Sequence, residues 1–458
     1  MSASASALST STSVLSELES ALTGSAGLNV SDVVDEIIQS KEGPLQSMEA
    51  DQTTLSNQNT AITGLETDMT AVTTDLQSLG DLDGVFGETT ASSSNSSVAT
   101  ATTQTGATAG SYAVLVSLLA TTGSWYSDEE ASGSTALAAG SFGVDIGGTT
   151  TSFDVAAGDT LSDVASEINN TKIGVTASVV TDASGARLSL VASNSGAAAD
   201  FSVTGATGLG FRQGTVGQDA QLKVNGTPVT SASNTVTGAI SGVTLQLTGT
   251  STTAATVTVA PNTSDIESKV SSFVSDYNTL LSAVQDQFTF SSSTSSEGVL
   301  ATDSIARSLE ESVLGMSTMS LGTGTYSTLS SLGITTGSDG SLSMDTNTLG
   351  SALATDYSDV MGFFQGTGGA AGFASASLST LNTYTDAANG AFTVELSNIA
   401  TESSSLSSQI SDEETTLTAE QATLTAQYNQ INVELEQLPS TIKNTQTLLG
   451  ENNSSSSS

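Results

Sequence analysis

Neither cysteine nor histidine occurs anywhere in the 458 residues. The first absence removes disulfides, thiol nucleophiles and soft-metal sites. The second removes the commonest general base, the imidazole of a catalytic triad and the usual zinc ligand. Only carboxylates remain for catalysis. Aromatic residues make up 4% of the chain and charged residues 12%, with Ser, Thr, Ala and Gly filling much of the remainder. That mixture suits a stack of modest domains better than one large core around a deep aromatic pocket.

Positive charge is scarce as well. Eight Lys and Arg stand against 47 Asp and Glu, a formal charge of −39, and no basic residue falls between Lys41 and Lys172. Binding nucleic acid or an anionic membrane surface needs cations that displace counterions from phosphates, so neither is expected as a partner. Acidity of this kind serves solubility outside the cell or in a salty or acidic habitat. No metal or cofactor is expected. No stretch approaches the roughly 18 to 20 apolar residues of a transmembrane helix, so no membrane insertion is expected either. The opening, MSASASALSTSTSVLSELESALTGSAG, lacks the charged and apolar portions of a cleaved signal peptide and reads as disordered. Export would use a route that accepts a disordered N-terminus.

Heptads stand near both ends. In LTAEQATLTAQYNQINVELEQL the large apolar residues Leu417, Leu424, Ile431 and Leu438 recur every seven positions, with Tyr428, Leu435 and Ile442 as a second row and Ile399, Leu406 and Ile410 upstream. Thr, Ala, Gln, Asn and Glu fill the gaps, so this helix carries a thin seam and needs a partner. Toward the other end, LNVSDVVDEIIQS predicts a short amphipathic helix with Ser31 as N-cap and Val34, Ile37 and Ile38 on one face, stopped at Gly43 and Pro44. A longer helix then carries Met48, Leu55, Ile62, Met69 and Leu76 at intervals of seven, with Leu65, Val72 and Leu79 forming the second row. Pairing of the two long seams is the expectation, which makes the central region an excursion that starts and returns at one place.

From Thr89 to Asn262 the pattern changes to strands, among them SYAVLVSLL, FGVDIGG, SFDVAAG and DAQLKVNG, broken by Gly, Asn-Gly and Ser-Gly turns. Val175, Ala177 and Val179 alternate, as do Leu188 and Leu190 across the Asp182–Gly185 turn; TLSDVASEIN, Thr160 to Asn169, is the one clear helix among the strands of this region. Past Pro261, Ile266, Val270, Phe273, Tyr277, Leu280, Leu281 and Val284 return to helical spacing behind a Ser264 cap. The expected fold is α+β and multidomain: terminal heptad helices paired as a coiled-coil leg, with antiparallel β head domains inserted between them. The expected divisions are 1–43, a disordered start and short helix; 44–88, the N-terminal leg helix; 89–140 with 215–262, an inner β domain; and 141–214, an outer β domain. A helical leg base over 263–372 and C-terminal helices with a disordered Ser tail over 373–458 complete the chain.

This order of pieces, and the residues within it, resemble the flagellar filament cap family, hook-associated protein 2. Gly27, Leu28, Asn29, Val30, Val33, Val34, Ile37, Ile38, Glu42, Pro44 and Leu45 fit the family's opening turn, apolar helix and Pro-Leu hinge, with Asn29 where Asp is more usual. GDTLSDVASEINNTKIGVTASVVTDASGARLSL, Gly158 to Leu190, is similar to a helix-then-hairpin element shared with flagellins. GQDAQLKVNGTPVTSASNTVTGAISGVTLQL, FVSDYNTLL from Phe273, and the run from Leu329 to Phe364 are similar to later parts of the family pattern. The resemblance implies a secreted, non-enzymatic protein at the distal tip of the bacterial flagellar filament. It would leave by type III export with a chaperone, form a ring commonly of five subunits, meet the hook-filament junction proteins, and promote polymerisation of flagellin. The self-assembly or flagellin contacts would fall on Met48, Leu55, Ile62, Leu65, Met69, Val72, Leu76, Leu79, Leu417, Leu424, Tyr428, Ile431, Leu435 and Leu438. The alternative is a secreted adhesive or structural protein whose β head binds surfaces or host glycans.

Other signals are weak. Asp128, Glu129 and Glu130 beside Trp125 and Tyr126 could suggest a glycosidase, but that chemistry needs two separately tuned carboxyls on a sugar cleft, and an exposed acidic loop is the better reading. Gly208, Gly210 and Gly214 miss dinucleotide-binding spacing and read as turn glycines. Asp81 and Asp83 lack the remaining ligands of a calcium loop.

Overall fold

A computed structural model describes residues 29–205, 208–289, 298–321 and 324–454. The Ser-rich opening and Ser455–Ser458, both read as disordered from sequence, lie outside the described residues. Along the chain come α1 (Val30–Lys41), α2 (Gly43–Gly80), a 3-10 turn at Val85–Gly87, β1 (Thr89–Ser93), β2 (Ala99–Thr103), β3 (Gly110–Leu118) and β4 (Ser124–Ser127). Next are β5 (Gly140–Ile146), β6 (Thr149–Val155), α3 (Leu161–Thr171), β7 (Val175–Thr181), β8 (Ala186–Ala192), β9 (Phe201–Thr204) and β10 (Phe211–Thr215). Five strands follow: β11 (Ala220–Val224), β12 (Thr227–Ser231), β13 (Thr235–Ile240), β14 (Val243–Leu247) and β15 (Ala255–Pro261). Then come α4 (Thr263–Asp286), α5 (Ser304–Ser317), the short β16 (Ile334–Thr336) and β17 (Leu342–Met344), α6 (Thr346–Thr355), α7 (Tyr357–Gln365), α8 (Phe373–Thr385) and α9 (Ala391–Ser454). Helices near the two ends thus flank β domains in the middle of the chain.

Two compact units emerge. One draws on Met1–Leu76, Ser272–Asp345 and Phe373–Ser458; the other on Gln77–Ser271 and Thr346–Gly372. Inside the first unit, Tyr277 is buried, with its hydroxyl donating to the Val313 carbonyl and the Gly340 carbonyl at the same 3.2 Å. Burial pushes that phenol above its usual range. Phe273 meets the edge of Phe373 at 5.5 Å, and the Asn278 amide closes a two-way bridge to the Leu342 backbone at 2.7 and 2.8 Å. This is where the helical pattern from Phe273 to Val284 goes: the apolar face of that part of α4 is buried.

The second unit holds two sandwich-like cores. In the first, the sheet β1-β15-β3-β11-β12 and the sheet β13-β14-β2 share a core of Val114, Val116, Leu222, Leu245 and Val257. In the second, the sheets β10-β4-β8-β7 and β6-β5-β9 enclose Phe142, Phe153, Leu188 and Leu190 together with Leu161, Val164 and Ile168 of α3. Phe142 stacks on Phe153 at 5.4 Å between ring centroids. β4, grouped by sequence with the inner domain, instead pairs with β8 and β10, because Trp125 packs against the second core and its indole N–H donates to the Phe201 carbonyl at 2.8 Å. Among the described residues every strand pair is antiparallel, as the alternation implies.

Local chemistry explains the boundaries. Thr160 and Asp163 form a capping box that starts α3, and the Thr160 hydrogen bonds hold the Asp163 carboxyl below its usual range. Asp182 accepts from the Ser184 and Gly185 amides at 2.7 and 3.2 Å, closing the β7–β8 turn. α1 opens at Val30 behind Asn29, whose side chain gives no cap to the helix backbone, so Ser31 is a helical residue rather than the cap expected from sequence. Between α1 and α2 stands Glu42 alone. Pro44 has no amide proton to continue the ladder but is well tolerated in the first turn of α2.

Candidate functional site

The terminal helices are the feature that the sequence singles out, and the structure pairs them in an unexpected register. α9 spans 64 residues, a rod of about 96 Å at 1.5 Å per residue. Its partner along the C-terminal seam is α1, not the long heptad of α2. Val30, Val33, Val34 and Ile38 form a buried cluster against which Leu424, Tyr428 and Leu435 pack. Lys41 forms an ion pair with Glu420, and Gln421 donates to the Asp35 carboxylate at 3.0 Å. Eleven residues beyond Lys41, Gln52 of α2 donates to Ser407 at 2.6 Å, thirteen residues back from Glu420 along α9. α1 and α2 therefore run in succession beside α9 in one antiparallel register.

The expected pairing of Leu417–Leu438 with Met48–Leu79 is thus corrected. A helix pair of this kind keeps equal rise on both sides, and the residues level with Leu424–Leu435 belong to the short helix. Sequence noticed its face of Val34, Ile37 and Ile38, but twelve residues are too few to show a heptad repeat. Val30 and Val33, named from the sequence only within the family's opening pattern and not on that face, complete it at 9% and 1% exposure.

Seam residues fall into three groups. Ile62, Leu65, Met69, Val72, Leu76 and Leu79 are fully buried, and Leu55 and Leu417 nearly so. Met48, Leu424, Tyr428 and Leu435 are half-buried. Ile431 and Leu438 are 42% and 50% exposed, as are Ile442 at 49% and Leu448 at 65%. Ile431 is not among the residues packed against the α1 cluster, although seven residues from Leu424 place it within about 20° of that side chain around the helix. Leu438 and Ile442 lie beyond the level at which α1 begins. Pro439 stands inside this exposed stretch of the helix.

Midway along, the α2–α9 contact is open. A groove of about 720 Å³ lies between them, lined by Asp51, Thr54, Leu55 and Gln58 from α2 and Glu395, Glu402, Ser405, Leu406 and Gln409 from α9. Leu55 and Leu406 supply its apolar floor, and three carboxylates its charge. Deeper in the same unit, burial and the nearby Asp276 carboxylate both push Asp68 of α2 above the usual carboxylate range.

The other signals resolve structurally. Arg187 pairs with Glu129, and Arg212 with Asp128 at 3.1 Å, so two carboxyls of the acidic loop are in ion pairs, while the Glu130 backbone bridges to Ala186. Gly210 sits where a Cβ would fall 2.1 Å from the Asp128 carboxylate, and Gly208 has a φ of +87°; both serve turn and packing geometry. Asp81 accepts from Gln365 through its backbone carbonyl at 2.7 Å, in a loop on which Leu82 is 84% exposed.

Comparison with known proteins decides the family. The model described as flagellar hook-associated protein 2 C-terminus matches residues 217–440, and that described as flagellar hook-associated protein 2 N-terminus matches residues 26–123. The chain belongs to the flagellar hook-associated protein 2 family. A flagellin hook IN motif also matches residues 142–194, the stretch running from β5 through α3 to the β7–β8 hairpin. Among named relatives of this family, the flagellar hook-associated protein 2 of Aeromonas caviae is 30% identical over 62% of this chain and 66% of its own length. That of Escherichia coli K12 is 28% identical over 46% of this chain and 51% of its own. This chain thus spans between half and two thirds of the length of these relatives. The crystal structure of the D1-D2-D3 domains of the flagellar cap protein FliD from Escherichia coli matches at a TM-score of 0.56 and 27% identity, over 74% of this chain and 99% of that one. Within hook-associated protein 2, α1 lies in the N-terminal model and the seam from Leu417 to Leu438 in the C-terminal one. The contacts of α9 with α1 therefore join the two halves of the family pattern.

Proposed function

We propose that this chain caps the distal end of a flagellar filament, promotes polymerisation of exported flagellin there, and prevents its loss to the medium. The observation that carries the reading is the antiparallel packing of helices from the two ends of the chain, with β domains between them in sequence, in a chain whose family relatives include a flagellar cap protein. Such a leg must bind and release as each subunit is added. A seam of single large apolar residues separated by Thr, Ala and Gln buries little area per turn, so its contacts can be exchanged at modest free-energy cost. The mechanism uses no covalent chemistry and no nucleotide.

In this reading the protein is secreted by the flagellar export route with a chaperone, forms a ring of about five copies, abuts the hook-filament junction proteins at the start of growth, and works outside the cell at the filament tip. The seam divides its labour. Residues buried from Leu55 to Leu79 hold the leg base, Leu424, Tyr428 and Leu435 clasp α1, and the exposed Ile431 and Leu438 remain for flagellin or a neighbouring copy. The β domains supply the plate.

Deleting the gene tests this. Short or missing filaments with monomeric flagellin in the culture fluid, restored by the full chain, is the expected result. Normal filaments with impaired attachment to surfaces would overturn it and point to an adhesin.

A further inference from the structure

Toward its C-terminal end α9 carries its apolar row past the end of its partner. Leu438 and Ile442 are 50% and 49% exposed, and they stand three and seven residues beyond Leu435, which packs on the α1 cluster. At about 100° per residue that places them roughly 60° and 20° from Leu435 around the helix, on the face that α1 covers earlier in α9. α1 begins only at Val30, so the row lies level with the chain that precedes it. Lys443, beside Ile442, is the lone basic residue of α9, and among the described residues it joins no ion pair.

The sequence ahead of α1 holds a matching face. In SVLSELESALTG, Ser13 to Gly24, the residues Val14, Leu15, Leu18 and Leu22 recur at helical spacing, with Ser13 suited to cap the start and Gly24 to end it. Its charges are Glu17 and Glu19. On α9, Lys41 meets Glu420 and Gln52 meets Ser407. Carried back toward the N-terminus at equal rise, that register sets Leu22 level with Leu438, Leu18 with Ile442 and Glu17 with Lys443. The family's N-terminal model starts at residue 26 and its C-terminal model ends at 440, so the segment, Ile442 and Lys443 all lie outside both.

We propose that residues 13–24 dock as a short helix on the Leu438–Ile442 row of the same chain, ahead of α1 and in its antiparallel register. Leu22 and Leu18 cover Leu438 and Ile442, and Glu17 meets Lys443. A helix this short is marginal in water by itself, so it forms on the row and not before. Only Ser25–Leu28 separate it from Asn29, the cap position of α1. Such a tether makes the contact intramolecular, at an effective concentration of about millimolar, which a second copy in dilute solution does not match. The inference concerns the isolated chain and stands whether or not the protein caps a filament. Under the capping reading, a partner that uses Leu438 must first displace this segment.

The absence of cysteine makes the test direct. Ser20→Cys and Ser440→Cys, level with one another and two residues from the apolar positions, take a spin label each in the full chain. Pulsed electron resonance reads their separation, with and without an excess of unlabelled chain. Helix axes packed 8–10 Å apart, with labels on their outer sides, give one narrow distance of about 20 to 30 Å. The expected result is that distance, unchanged by the unlabelled chain and replaced by a broad distribution in the Leu18→Ser, Leu22→Ser variant. A broad distribution before those substitutions would overturn the proposal. So would a narrow distance that the unlabelled chain abolishes, which would seat a second copy on the row, or one that survives the loss of both leucines.

Discussion

Val34 of α1 is 1% exposed beneath the α9 residues Leu424, Tyr428 and Leu435, so Val34→Ala probes the corrected pairing directly. The substitution removes two methyl groups, about 1.6 kcal/mol at roughly 0.8 kcal/mol per buried carbon. Alanine favours the helix over valine by about 0.6 kcal/mol and returns that much. The net loss of about 1 kcal/mol is roughly a fivefold rise in the opening equilibrium of α1. Amide hydrogen exchange followed by mass spectrometry over residues 31–41 reads that equilibrium, because exchange from a helix at a chain end proceeds by local opening. Protection should fall about fivefold there while the strands of the β unit keep theirs. Ile431→Ala supplies the contrast: at 42% exposure and outside the α1 cluster, it should leave protection of α1 unchanged within about twofold. Unaltered α1 protection in Val34→Ala, or an equal loss in Ile431→Ala, would refute the register and restore the long α2 heptad as partner.

Three further outcomes follow from the geometry. Thr160→Ala removes the cap of α3 and should cost about 1 kcal/mol in urea unfolding of the β unit, with the m-value unchanged. Phe142→Ala empties part of the core it shares with Phe153 and should cost about 3 to 5 kcal/mol in the same assay. Glu88 is pushed above its ordinary value of 4.5 by burial first and then by the hydrogen bond and charge of Asp265, with Lys269 opposing. A carboxyl raised on folding contributes its stability below its unfolded value and loses it as pH rises through the folded one. Glu88→Gln should therefore raise the melting temperature at pH 7 and give no gain at pH 4.

Much of the architecture was legible because periodicity records which face of an element is covered. Alternation along Val175–Val179 and Leu188–Leu190 marks strands buried on one side, and those strands form the β7–β8 hairpin. The Thr160 and Asp163 pair announces a helix start because both side chains satisfy backbone groups that every helix leaves open. Ser31 misled for the same kind of reason. A cap residue is favoured by its side chain, yet the backbone was already helical from Val30.

What the sequence determined by itself is local and periodic: heptads at both ends, antiparallel strands between them, a chain without cysteine, histidine or the cations for nucleic acid. Tertiary structure alone decided which seam meets which. Leu424, Tyr428 and Leu435 are as apolar facing α1 as they would be facing α2, since burial is non-directional and a heptad carries no address. The choice is set by where the two helices lie level with one another, and that depends on the chain folded between them.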